Sequence, residues 1–198
     1  MLKYFYNSNK NIDFKFLKVQ FMKTYSEYLQ SKKNSKDEQE FLVINQLNKL
    51  KFDFYIFEHP PLKTVEDSKN LRGEIKGGHT KNLFLRDKKK DNFLITTSED
   101  QIIDLKKLEK KLSTGRLSFG SPDRLHEFLG VKPGSVSPLA LVNDQNNKVI
   151  FYIDKKLLNE EILNFHPLVN HLTISLKISD FKSYLNSINR TLNEIEFE

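Results

Sequence analysis

Three features of this 198-residue chain stand in loops, where sites are usually built. Lys81 follows a Gly77–Gly78 turn, Gly134 stands four places before Pro138, and His166 directly precedes Pro167. A lysine brings a point charge, and glycine lets backbone N–H groups approach a ligand closely. Taken singly, each residue is more often structural: lysine is solvated, and glycine or proline shapes a turn. Stronger patterns fail when tested. Gly73 and Gly78 have the spacing of a phosphate loop, but His79 and Thr80 stand where its lysine is required. Between Gly115 and Gly120 the serine sits one place too late for a nucleophile elbow. His166 and His171 are five apart, which puts them on opposite faces of an extended strand with no carboxylate at ligand spacing. No metal site is expected. The chain has no cysteine, which excludes disulfides, thiolate zinc and a Cys nucleophile.

The elements that must hold these loops follow from periodicity and punctuation. Phe14, Leu17, Phe21, Tyr25 and Tyr28 recur at helical spacing behind Asp13, which predicts an N-terminal amphipathic helix. Residues 31–37 are polar and lysine-rich and read as a linker. A helix follows to about Leu50, then a strand, Phe54–Glu58, stopped by Pro60–Pro61. Thr64 caps a short helix ended at Gly73. Asn82–Arg86 and Phe93–Thr97 read as a hairpin. Asp104 caps the next helix, Arg116–Phe119 is a short strand, and Ser121, Pro122 and Gly130 start and stop a further helix. Leu139–Asn143 and Val149–Ile153 read as a second hairpin, Leu163–Phe165 and Leu172–Lys177 as strands, and Ser179 caps a last helix.

The pattern predicts an α+β fold, a mixed and largely antiparallel sheet flanked by helices. Three segments are expected: a basic extension, 1–36; a main domain, 37–190; and an acidic tail, 191–198. The net charge is +6. Residues 1–36 hold eight Lys against Asp13 and Glu27, so the extension carries the whole excess. It is either a solvated tail or an arm for nucleic acid or an anionic surface. Sixteen Phe and seven Tyr argue for a packed globule. No apolar run is long enough to span a bilayer, and nothing at the start reads as a secretory signal.

Several runs taken together add a family resemblance. They are Gly77-Gly78-His79-Thr80-Lys81-Asn82-Leu83-Phe84-Leu85, Leu117-Ser118-Phe119-Gly120, Leu129-Gly130-Val131 with Pro133-Gly134-Ser135-Val136, and Asn164-Phe165-His166-Pro167-Leu168. In this order and spacing, from about Asp37 to Asn189, they resemble the superfamily of YbaK and the prolyl-tRNA synthetase editing domain. The likeness is strongest to its free-standing branch of alanyl-tRNA(Pro) deacylases, ProXp-ala. The resemblance implies a curved mixed sheet and hydrolysis of the ester between a mischarged amino acid and the tRNA's terminal adenosine. It implies no cofactor.

It implies a catalytic set of Lys81, Gly134, Pro138 and His166. The helix carrying Leu71 and Ile75 becomes one pocket wall, with Thr64, His79, Asn82, Ser135 and Ser137 as further substrate-binding candidates. Lys88 and Lys89 in a turn, and Lys106 and Lys110 on one helix, are candidates for the acceptor stem; a soluble face is the alternative. The implied partners are the acceptor end of tRNA(Pro) and prolyl-tRNA synthetase, not DNA or an integral membrane. The implied place is the cytoplasm or an organelle of bacterial descent. Sister readings change the amino acid to cysteine, serine or proline. Other classes are a non-catalytic tRNA-binding or synthetase-associated module, and docking through the N-terminal helix.

Overall fold

The computed structural model describes residues 22–32, 38–62 and 64–197. Phe14, Leu17 and Phe21 of the expected N-terminal helix lie outside them. The residues after Phe21 depart from that expectation: Met22–Lys23 is a short strand, β1, and the helix α1 spans Tyr25–Ser31. The reason is a capping box. Thr24 is extended (φ −72°, ψ 166°), its hydroxyl accepts from Glu27 N, and the Glu27 carboxylate accepts from Thr24 N–H. A residue in that conformation interrupts any helix running through it.

The β1–α1 unit is tied to the main domain. Tyr28 is fully buried, packs 5.9 Å from the Phe41 ring and donates its hydroxyl to Glu40. Lys23 pairs with Glu58 at 2.7 Å; Lys32 pairs with Glu40 at 3.4 Å and Glu58 at 3.2 Å. Two lysines of the basic extension are thus committed to carboxylates of the protein itself.

Beyond α1 come α2 (Glu38–Lys49), β2 (Phe54–Glu58), α3 (Val65–Leu71), β3 (Gly78–Arg86) and β4 (Asn92–Ser98). Then follow α4 (Leu105–Lys111), β5 (Ser118–Phe119), α5 (Pro122–Leu129), β6 (Val149–Asp154), β7 (Ile162–Phe165), β8 (Leu172–Lys177), α6 (Ile178–Ser187) and β9 (Asn193–Ile195). The strands form one sheet in the order β1-β2-β8-β7-β3-β4-β6-β9, with β5 beside β3.

The sheet is mixed rather than largely antiparallel. β3 runs parallel to β7, β4 to β6, and β6 to β9. The expected second hairpin accounts for much of the difference. Residues Pro138–Asn143 are a 3-10 helix, not a strand: the Ser137 hydroxyl caps it and Pro138 occupies its first turn. With no strand to fold back on, β6 pairs with β4, which it reaches through a long crossover carrying α4 and α5, and such a crossover delivers a parallel neighbour. The acidic C-terminal residues alternate, with Ile195 and Phe197 buried and Glu194 and Glu196 exposed, which is how β9 comes to close the sheet edge.

Both faces of the sheet are covered. Leu94 and Phe151 point to a large core shared with Ile44 of α2, Leu129 of α5 and Phe181 of α6. Their neighbours Phe93 and Ile95 point to a smaller core with Leu108 of α4 and Phe197. This alternation, one residue to each side, holds β3 and β4 rigidly at the centre.

Candidate active site

β3 is the strand that carries Lys81, and its pairing explains why a cleft opens there. On one side β3 pairs with β4 from Thr80 to Arg86. On the other it pairs with β7 only at Gly78 and His79. β7 ends at Phe165, so past His79 the two strands part. A cleft of about 200 Å³ lies there, lined by Leu62, Thr64, Val65, Ser68, Thr80, Lys81, Asn82, Glu99, Gly134, Val136 and His166. The turn before β3 needs its glycine. Gly77 has φ +101°, and a Cβ there would lie 2.6 Å from the Ile162 carbonyl oxygen.

Side-chain hydrogen bonds fix the walls. Thr80 Oγ1 donates to the Asn164 carbonyl at 2.8 Å, holding the end of β7 against β3. Asn82 Nδ2 donates to the Val136 carbonyl at 2.9 Å, and Thr96 Oγ1 donates to Asn82 Oδ1 at 2.7 Å. Asn82 is therefore a clamp between the central strand and the Gly134–Pro138 loop. In that loop Gly134 has φ +89°. Ser135 N–H is used by the Lys132 carbonyl. The N–H groups of Gly134, Val136 and Ser137 meet no acceptor among the described residues.

Lys81 forms no hydrogen bond or ion pair with a described residue. Burial pulls its ammonium below the usual lysine value, while the charges of Asp100 and Glu99 act in the opposite sense. Glu99 itself is held by Arg72 of the α3 C-cap, with Nη2 to Oε1 at 2.8 Å and Nη1 to Oε2 at 2.5 Å. Asp100 pairs with Lys69. His166 Nδ1 lies 2.7 Å from the Leu172 carbonyl. A carbonyl only accepts, so Nδ1 carries the proton and Nε2 of the neutral ring is an acceptor. Burial lowers the His166 value, and the charge of His171 lowers it further.

Of the residues expected from sequence, the cleft brings together Lys81, Asn82, Thr64, Gly134 and His166. Pro138, Ser135 and Ser137 are buried just behind it and do not line it. His79 donates Nε2–H to the Ile75 carbonyl at 2.8 Å and so fastens the α3–β3 connection. Leu71 and Ile75 are not on the cleft wall; α3 contributes Val65 and Ser68 instead. The signal for those two was present, since Thr64 caps α3 and the first turn faces the same way as the residue one turn on. Glu99 has no signal in sequence, because its place depends on where β4 ends. Lys88, Lys89, Lys106 and Lys110 are exposed and stand apart from the cleft. Among the described residues no group of three His, Asp or Glu is placed to hold a metal.

The buried histidines make stability pH-dependent. Burial is the main cause of lowered values at His59, His79 and His166, and His59 falls to about 4 from 6.5. His59 is neutral in the fold, with Nδ1–H on the Pro60 carbonyl at 2.9 Å and Nε2 on Thr173 Oγ1 at 2.9 Å. Below pH 6.5 the unfolded chain binds protons that the native state refuses. The contribution is therefore complete above about pH 6.5 and is lost as pH falls through the folded values. The urea midpoint is expected to fall between about pH 7 and pH 4, and less steeply in His59→Gln. An unchanged slope in the variant removes His59 as a cause.

Comparison with known proteins agrees on one group. Residues 59–184 match the family model described as the aminoacyl-tRNA editing domain. The prolyl-tRNA editing protein ProX of Acetoanaerobium sticklandii is 36% identical over 155 residues, which is 78% of this chain and 94% of that protein. The prolyl-tRNA synthetase associated domain-containing protein 1 of Bos taurus is 37% identical over 137 residues, 67% of this chain and 80% of that one. A crystal structure described as a candidate trans-editing enzyme for prolyl tRNA synthetase superposes with a TM-score of 0.60 at 18% identity. It covers 83% of this chain and 100% of its own. That likeness is one of fold.

Proposed function

The chain belongs to the aminoacyl-tRNA editing-domain family, and from that premise we propose that it is a deacylase that hydrolyses alanine from wrongly charged proline tRNA. The observation that carries this reading is the convergence of Lys81, Asn82, Gly134 and His166 on one small cleft. At about 200 Å³ it is below the roughly 300–1,000 Å³ of sites that engulf drug-sized ligands. Such a cleft suits a small aminoacyl group with the tRNA end left outside.

The physical need is clear. A synthetase pocket built for proline cannot strongly reject the smaller alanine, since each missing methylene is worth about 1–3 kcal/mol. A second, smaller site that hydrolyses alanyl and excludes prolyl esters supplies the rest. In this reading the free N–H groups of Gly134 and Val136 in the Gly134–Pro138 loop receive the oxyanion that forms on the ester carbonyl. Lys81 holds the terminal phosphate or sugar as a point charge. His166 offers Nε2 as an acceptor to the ribose hydroxyl or to the attacking water. The substrate's partners are the single-stranded acceptor end, read by local contacts, and an acceptor stem lying along Lys88, Lys89, Lys106 and Lys110. Prolyl-tRNA synthetase is the further partner and the cytoplasm the place of action. No described helix is long and apolar enough to cross a membrane.

The test is deacylation of Ala-, Pro- and Cys-tRNA(Pro) by the full chain. Rapid loss of alanine with prolyl and cysteinyl esters persisting is expected. Preferential loss of either other amino acid overturns the alanine assignment, and hydrolysis of none overturns the enzyme.

A further inference from the structure

The cleft contains a carboxylate to which the proposed reaction gives no task. Glu99 directly follows β4, and its N–H donates to the His79 carbonyl at 2.9 Å, which fixes its backbone. Its side chain is 10% exposed and lines the cleft. Among the described lining residues it is the one acid; Asp100, next along, turns to Lys69.

An aminoacyl ester brings its own charge. Its α-amino group is an ammonium beside the scissile carbonyl, and it enters a cleft that already holds the Lys81 ammonium. Two cations at such range repel unless an anion stands by. Resting on the ester-deacylase reading, we infer that Glu99 anchors the α-ammonium of the aminoacyl group and selects esters whose amino group is free.

Arg72 makes this possible rather than preventing it. Its two Nη atoms each take one Glu99 oxygen, and Nη1 also donates to Ser68 Oγ at 2.8 Å. A carboxylate has about four lone-pair sites, so about two remain for a second donor. The guanidinium also locks the Glu99 rotamer, so the carboxylate is ordered before substrate arrives and binding forfeits little entropy. The same Glu99 charge acts favourably on Lys81. One carboxylate thus serves a cleft that carries one cation of its own and receives another.

The chemical probe is the lactyl ester, which replaces the ammonium by a hydroxyl of the same size. kcat/KM is measured for alanyl and lactyl esters of the same tRNA, with wild type and Glu99→Gln. The double ratio cancels the intrinsic reactivity of the two esters. Glu99→Gln is expected to slow alanyl hydrolysis by about 10–100-fold, the worth of a hydrogen bond to a charged group, and to leave lactyl hydrolysis within about twofold. An equal fall for both esters means that Glu99 only braces Arg72 and α3, and overturns the inference. Unchanged rates for both overturn it as well.

Wild type gives a second reading that needs no variant. A stable amide analogue of alanyl-adenosine is expected to compete about 10–100-fold better than its lactyl counterpart; equal inhibition overturns the anchor. Wild type that hydrolyses neither ester overturns the deacylase reading together with this one. A wild type active on both, with an unchanged ratio in Glu99→Gln, overturns this one alone.

Discussion

Lys81→Ala is expected to lower kcat/KM for deacylation of Ala-tRNA(Pro) by about 10–100-fold, the worth of a hydrogen bond between charged groups. It is expected to change stability by no more than about 0.5 kcal/mol. The two halves of this expectation come from the same observation. Lys81 stands in the cleft, partly stripped of water, with no described residue paired to it. A lysine kept in such a place without a structural partner is unfavourable to the fold unless a ligand uses it. The neighbouring acids do not depend on it, because Glu99 has Arg72 and Asp100 has Lys69. Removing Lys81 therefore orphans no buried charge, unlike removal of one partner of a closed ion pair.

The kinetic split adds a second reading. If the ammonium holds the terminal phosphate equally in the ground and transition states, KM rises while kcat stays. If it acts on charge that forms during reaction, kcat falls instead. Steady-state rates on Ala-tRNA(Pro), with thermal unfolding measured beside them, decide the matter. Full activity in Lys81→Ala takes the residue out of the mechanism.

Much of the architecture is readable because local signals and tertiary need coincide. Thr64, Asp104 and Ser121 are N-caps, and Gly130 closes α5 in the left-handed region, as their positions in sequence predict. β2 and β8 match the expected spans because their apolar residues, among them Ile56 and Ile174, are buried in the large core. Residues 139–143 read as a strand because Leu139-Ala140-Leu141-Val142 is a short apolar run, and periodicity alone does not separate a buried strand from a buried helix. Ser137 and Pro138 are the deciding signal, the same kind of start that Ser121 and Pro122 provide for α5.

The site divides in the same way. Lys81, Asn82, Gly134 and His166 are legible through runs of residues close in sequence. Thr80 and Val136 stand inside the same runs, but only the fold shows that they line the cleft; Glu99 lies outside every run and joins it through the end of β4. Sequence reasoning sets the α3 wall one turn too far along. Ile75 is buried, but it lies beyond α3, in the connection to β3 that His79 fastens.

Gly134→Val is expected to reduce turnover by about 10²–10³-fold while the protein still folds. Gly134 sits at φ +89°, a conformation that a β-branched residue adopts only at a cost of about 1–3 kcal/mol. The chain has two ways to respond, and each harms the site. If the loop keeps its shape, the new side chain stands in the cleft that Gly134 lines. If the loop relaxes, the N–H groups of Gly134 and Val136 move from the place where the oxyanion forms, and the Asn82 bond to the Val136 carbonyl is strained. The clamp makes the second route costly, because Asn82 is itself held by the fully buried Thr96 hydroxyl. Gly130→Ala is the matched control. Gly130 is also left-handed, at φ +65°, and an added Cβ would lie 2.7 Å from Asn143 Nδ2, away from the cleft. That variant should lose comparable stability yet keep its kcat. Turnover retained in Gly134→Val, or lost equally in Gly130→Ala, would show that the loop's catalytic part is no more than its contribution to the fold.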